Sequence, residues 1–200
     1  MSRIGVYGGT FNPPHLGHRR LALEAKETAE LDKIIVIPDN VPPHKQAETL
    51  VSGENRLELC RRTFCEDFFE FSGIELNREG PSYTYLTLQA LKEQYPDDEL
   101  FLIIGSDMLL MFDKWVNFRL ILSMAKLCCM TREADVSSEE LKAFASGTLG
   151  LSDDDVIICP AEPFEISSTG LRRMIACGQS IEGFVTTAAA EYILENELYI

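Results

Sequence analysis

An α/β fold is predicted, built as a doubly wound, mostly parallel sheet with helices on both faces. Three observations predict it. Short runs rich in Ile, Val, Leu and Phe recur along the 200 residues. Longer stretches with helical spacing separate them. A glycine-rich loop follows the first run directly.

The apolar runs are Ile4–Tyr7, Ile34–Ile37, Phe68–Phe71, Leu100–Ile104, Leu127–Met130 and Val156–Cys159. Runs that are apolar at every position suit parallel strands buried on both faces. After the first, Leu16, Ala22, Leu23, Ala29 and Leu31 outline an amphipathic helix. After the second, Pro38 to Ser52 carries three prolines and reads as a loop. Tyr85, Leu88, Leu91 and Tyr95 recur at three- and four-residue steps, and Pro96 stops that helix. Residues 131–155 are polar and read as a surface insertion. Within them Ser137-Ser138 before Glu139-Glu140 marks a helix start. Thr187 to Leu194 reads as a last helix. This is a Rossmann-like alternation with no repeat and no internal boundary. It predicts one domain over 1–200, with a C-terminal helical part (about 167–200) packed on it.

Charge narrows the function. The chain holds 18 Lys+Arg against 32 Asp+Glu, a net charge of −14. Proteins that wrap nucleic acid carry a basic stripe to neutralise phosphates, and none is visible here. A nucleic-acid partner and an anionic membrane surface are therefore not expected. No run reaches the length of a membrane span, and the N-terminus has no secretory apolar segment. The six cysteines show no Cys-x-x-Cys pair and no zinc spacing. They read as reduced, mostly buried thiols of a cytoplasmic protein. No protein-held metal is expected.

The chemistry concentrates where the first strand ends: Gly8-Gly9-Thr10-Phe11-Asn12-Pro13-Pro14-His15-Leu16-Gly17-His18. In open α/β sheets ligands bind beyond the carboxyl ends of the strands. Glycines permit close backbone approach. His15 and His18, three apart, share one side of the first helical turn, where helix N–H groups favour an anion. Neither a P-loop nor a Gly-x-Gly-x-x-Gly fingerprint occurs. The third histidine, His44, lies in Val41-Pro42-Pro43-His44-Lys45, after the second strand. All three histidines thus fall on loops at strand ends.

The segment from Gly8 to His18 resembles the signature of the His-x-Gly-His nucleotidyltransferase superfamily. Pro42-Pro43-His44-Lys45, Gly80-Pro81-Ser82-Tyr83-Thr84, Ile103-Ile104-Gly105-Ser106-Asp107 with Trp115, and Ile166-Ser167-Ser168-Thr169-Gly170-Leu171-Arg172 resemble one branch, the bacterial nicotinate-nucleotide adenylyltransferases. The resemblance implies transfer of the adenylyl group of ATP to nicotinate mononucleotide. The products are deamido-NAD and pyrophosphate, and Mg²⁺ enters with ATP. It implies catalytic roles for His15, His18, Lys45 and Arg172. Gly8, Gly9, Thr10, Phe11, Gly105, Ser167, Ser168 and Thr169 would bind ATP. His44, Thr84, Asp107 and Trp115 would hold the mononucleotide. A monomer or small homo-oligomer is expected.

Read without the resemblance, several of these residues have plainer explanations. Ser167-Ser168-Thr169 is equally a helix cap. Trp115 is equally a partly buried core residue. Asp107 could cap the next helix. Arg56 reads as part of a solvated helix face, with a substrate phosphate as the alternative. The chain also departs from the family: Asn12 stands where Asp is usual, and Thr131-Arg132-Glu133-Ala134 replaces an Arg-Pro-Gly turn. A non-catalytic nucleotide sensor, or another adenylyl- or cytidylyltransferase, is the competing reading.

Overall fold

Every apolar run becomes a strand. The computed structural model describes residues 1–40, 50–131, 136–161 and 166–200. Its strands are β1 (Arg3–Gly9), β2 (Lys33–Pro38), β3 (Phe69–Phe71), β4 (Glu99–Gly105), β5 (Ala125–Thr131) and β6 (Val156–Pro160). They form one sheet in the order β3-β2-β1-β4-β5-β6. The β1–β4, β4–β5 and β5–β6 pairs are parallel, with Val6 beside Leu102, Ile103 beside Cys128 and Cys128 beside Ile157. Ile4 to Tyr7, Leu100 to Ile104 and Leu127 to Thr131 are buried without a break. Unbroken burial means both faces are covered, which is why these runs do not alternate.

The strand order reverses at β1. The chain moves outward through β2 and β3, then returns to the other side of β1 with β4. The carboxyl ends of β1 and β4 are therefore the topological switch point, where sheets of this kind hold ligands.

The helices are α1 (Leu16–Thr28), α2 (Gly53–Thr63), α3 (Thr84–Gln94), α4 (Ser106–Leu109), α5 (Phe118–Met124), α6 (Ser138–Phe144), α7 (Ser168–Ala176) and α8 (Thr187–Glu195). Among the described residues none is long and apolar enough to cross a membrane.

The chain divides into two compact units. The first comprises Met1–Tyr7, Leu21–Ile35 and Tyr83–Pro163. Here α3 packs against α5. The Arg3 guanidinium donates to the Ala29 carbonyl (2.8 and 3.0 Å) and lies over the Phe101 ring, 4.4 Å from its centroid. The expected helix start at Ser137 is present as a full capping box. Ser137 accepts from the Glu140 N–H, and the Glu140 carboxylate accepts from the Ser137 N–H. Residues 136–155 are nevertheless not a mere surface insertion. Leu141 in α6 and Ala145, which caps its end, are buried. Cys128, Cys129 and Cys159 are buried here, and burial first, then Cys159 and Asp107, pushes the Cys129 thiol up to about 12.

The second unit comprises Gly8–Arg20, Val36–Ser82 and Phe164–Ile200. Its core is Leu59, Leu171, Val185, Ala189, Ile193 and Leu198. Here α2 packs against α8. The contact is closed by Tyr192, whose hydroxyl donates to Asn55 Oδ1 (2.9 Å), and by Arg62, which covers the Tyr192 ring. Ser52 caps α2 and Thr186 caps α8, each accepting from a backbone N–H three residues on.

Candidate active site

The loop after β1 lies in the second unit and is packed, not slack. Phe11, Asn12 and His15 are all buried. Phe11 holds a left-handed φ of 47°, a region costly for a bulky side chain. Its ring lies across Gly9, where a Cβ would come within 3.0 Å of it. Gly9 is therefore glycine because the ring occupies its side-chain space, not because its φ is unusual. Above Gly8 no described atom lies within 4 Å of where a Cβ would sit, which leaves room for a ligand to approach the backbone.

The spacing of the two histidines has a local cause. The His15 carbonyl accepts from the His18 and Arg19 N–H groups (2.9 and 3.2 Å), so His15 opens α1. His18 Nδ1 accepts in return from the His15 N–H (3.2 Å). His18 thus plays the part that Glu or Gln takes at the third position of a capping box. An accepting Nδ1 puts the proton of the neutral ring on Nε2, which makes Nε2–H a donor. The two rings lie 3.7 Å apart, and Phe11 meets His18 edge-on at 5.3 Å. The Leu16 N–H is occupied by the Phe184 carbonyl (2.8 Å).

Arg56 corrects the sequence expectation. It is 1 % exposed, not on a solvated face. It makes at least four hydrogen bonds: to the Thr10 carbonyl (2.8 Å), Asp39 Oδ1 (3.1 Å), the Asp39 carbonyl (2.6 Å) and the Val51 carbonyl (3.2 Å). Asp39 also accepts from the Thr10 hydroxyl (2.8 Å) and donates its N–H to the Gly9 carbonyl (3.0 Å). A buried arginine is tolerable only with this degree of satisfaction. Sequence reasoning missed Asp39. Its signal was its place just past the carboxyl end of β2.

At α7 the three hydroxyl residues divide their work. Ser167 caps the helix, accepting from the Gly170 N–H (3.1 Å). The Ser168 hydroxyl donates to the Pro13 carbonyl (2.8 Å). Thr169 accepts from Arg172 (3.2 Å), which also donates to the Asn12 carbonyl (2.7 Å). Asn12 Oδ1 faces the Val51 N–H at 3.4 Å, so the amide keeps an acceptor where the family usually has a carboxylate. The second unit therefore brings Gly8, Gly9, Thr10, Phe11, His15, His18, Ser167, Ser168, Thr169 and Arg172 into one connected set.

Thr84, Gly105, Asp107 and Trp115 belong to the first unit. A cavity of ≈ 370 Å³ opens there at the strand ends, lined by Tyr7, Ile104, Gly105, Asp107, Met130 and Ala161 among others. Asp107 folds back over Gly105, where a Cβ would stand 2.6 Å from Asp107 Oδ1. Asp107 lies within α4, whose N-cap is Gly105, so it is not the cap residue. Thr84 is the first residue of α3, and the N-cap residue Tyr83 makes no side-chain capping bond. Trp115 is half-buried, with one face stacked on Phe112 (4.9 Å between centroids, 27° between planes). His44, Lys45 and Arg132 lie outside the described residues.

A parallel sheet whose first strand runs into a Gly-Gly loop and a His-x-Gly-His helix start defines the chain as a nucleotidyltransferase. A family model described as cytidylyltransferase-like matches residues 6–174. A Shouchella clausii protein named probable nicotinate-nucleotide adenylyltransferase is 37 % identical over 200 residues, covering 100 % of this chain and 97 % of that one. The nicotinate-nucleotide adenylyltransferase of Bacillus subtilis is 32 % identical, covering 100 % and 99 %. A solved structure of the Plasmodium falciparum nicotinic acid mononucleotide adenylyltransferase, complexed with NaAD, superposes with a TM-score of 0.77 at 17 % identity, over 100 % and 98 %. The chain belongs to the cytidylyltransferase-like family and, within it, to the nicotinate-nucleotide adenylyltransferases. It is an enzyme.

Proposed function

We propose that the enzyme transfers the adenylyl group of ATP to the phosphate of nicotinate mononucleotide, giving deamido-NAD and pyrophosphate. The whole chain, with its C-terminal helical part, acts as one catalytic domain. The observation that carries this reading is the His15–His18 pair after the Gly-Gly loop, whose backbone bond turns His18 Nε2 into a donor.

A phosphate monoester has a second pKa near 6. The mononucleotide is therefore already a nucleophilic dianion at neutral pH and needs neither a general base nor a covalent enzyme intermediate. The enzyme's task is to align two polyanions and stabilise the charge that passes to pyrophosphate. His18 Nε2–H donates to the α-phosphate as that charge builds. His15, Lys45 and Arg172 hold the phosphates, and Ser167, Ser168 and Thr169 line the start of α7 beside them. Mg²⁺ would enter as part of the ATP substrate and would neutralise phosphate charge there. Gly8 to Phe11 and Gly105 take the ATP backbone-side contacts.

Nicotinate differs from nicotinamide by a carboxylate. The N-terminus of α3 at Thr84 is assigned to that anion through its N–H groups and the helix dipole, and an amide leaves part of such a donor set unpaired. The second face of Trp115 suits the pyridine ring. Asp107 accepts from a ribose hydroxyl, and His44 joins on the mononucleotide side. Pyrophosphate release from ATP is to be compared with nicotinate and nicotinamide mononucleotides. The reading expects a kcat/KM at least about tenfold higher with nicotinate. Equal values overturn the carboxylate assignment, and no release with either overturns the activity.

A further inference from the structure

We propose that Arg56 is a positioning residue: it locks the loop after β1 into the geometry in which that loop and His18 meet ATP. The inference rests on the reading that ATP binds at this loop.

Arg56 is buried, yet three of its four bonds end on carbonyl oxygens: Thr10, Asp39 and Val51. Thr10 and Asp39 follow β1 and β2 in the chain, and Asp39 and Val51 flank the segment that carries His44 and Lys45. A planar fork reaches several acceptors at fixed angles, which a lysine ammonium cannot do. The Thr10 carbonyl belongs to the same peptide plane as the Phe11 N–H, so gripping one oxygen sets the plane for both. The plane matters because Phe11 is held at a φ of 47°, a conformation that persists only where its surroundings enforce it. The Phe11 ring then lies edge-on to His18. Arg172 grips the Asn12 carbonyl (2.7 Å). Two guanidiniums therefore fix the peptide oxygens on either side of Phe11.

Arg56 does not itself contact a phosphate in this account. With 1 % exposure and its donors on Thr10, Asp39 and Val51, it acts through the loop. That separates it from Arg172.

The test uses the full-length enzyme labelled with ¹⁵N-phenylalanine, as wild type, Arg56→Lys and Asp39→Asn. Arg56→Lys keeps the charge and loses the fork; Asp39→Asn is milder and guards against a variant that does not fold. Three readings are taken on folded protein: ATP affinity by calorimetry, kcat with both KM values, and the Phe11 amide resonance. The expected result is a displaced Phe11 amide, ATP binding about tenfold weaker in Arg56→Lys and about threefold weaker in Asp39→Asn, and a lowered kcat. KM for the mononucleotide should stay within about twofold. Folded Arg56→Lys with wild-type ATP affinity and an unmoved Phe11 amide overturns the proposal. So does a uniform loss of active protein with both KM values unchanged. If Arg56→Lys does not fold, Asp39→Asn with wild-type affinity and amide position overturns it. Wild type that does not bind ATP overturns the functional reading instead, and the Phe11 amide then decides on Arg56 alone.

Discussion

His18 carries two duties that substitution can separate. Its Nδ1 caps α1 through the His15 N–H, and its Nε2–H is assigned to the α-phosphate. His18→Ala removes both and should lower kcat by roughly 10²-fold or more, with about 1 kcal/mol of lost stability. His18→Gln restores an acceptor at the capping position, so thermal stability should return while turnover stays low. Wild-type turnover in His18→Gln contradicts the catalytic assignment. The histidines were legible because their signal is local: two strand-end residues three apart. Arg56 was not legible. Its partners lie 5, 17 and 46 residues away in sequence, and nothing inside Gly53–Thr63 distinguishes a buried arginine from a solvated one.

Elements are anchored to one another by a few polar bonds whose pH dependence can be read. Arg19, in the first turns of α1, donates to both carboxylate oxygens of Glu66, just beyond α2. Burial alone would raise the Glu66 pKa. The Arg19 hydrogen bond, with local backbone donors, more than offsets it, so Glu66 sits below its ordinary range. A depressed carboxylate contributes stability above its unfolded pKa and loses it as pH falls through the folded one. Glu66→Gln should therefore destabilise by about 0.5–1 kcal/mol at pH 7. The gap from wild type should close as pH falls below about 4. A gap that stays constant from pH 7 to pH 3, followed by denaturant melts, would show that the pair contributes no charge-dependent stability. All six strands were legible, because continuous apolar runs bounded by turn residues have few other solutions. The helix start at Ser137 was legible from its cap, and α3 and α8 from their spacing. A helix around Arg56 was expected, but its burial was not, because its sequence is mostly polar and it is held by tertiary bonds: its core contact with α8 and the Arg56 bonds.

At the scale of the whole molecule, a net charge of −14 is set against a proposed function that takes two polyanions. A net charge of this sign argues against a nucleic-acid polymer, since that partner needs a basic surface. It does not exclude a small anion, which needs only local donors. The second unit holds His15, His18 and Arg172 around the loop after β1, where the proposed function puts the phosphates. The fold class could be read from pattern because the sheet is made by repetition. The partition of site residues between two compact units could not, because it depends on which side chains pack together across long sequence separations. The central claim is direct adenylyl transfer to nicotinate mononucleotide. Its most direct test follows dinucleotide and pyrophosphate together, by mass spectrometry, from ATP and nicotinate mononucleotide with purified enzyme. One deamido-NAD for each pyrophosphate is the predicted result. Pyrophosphate without the dinucleotide, or neither product, would contradict it.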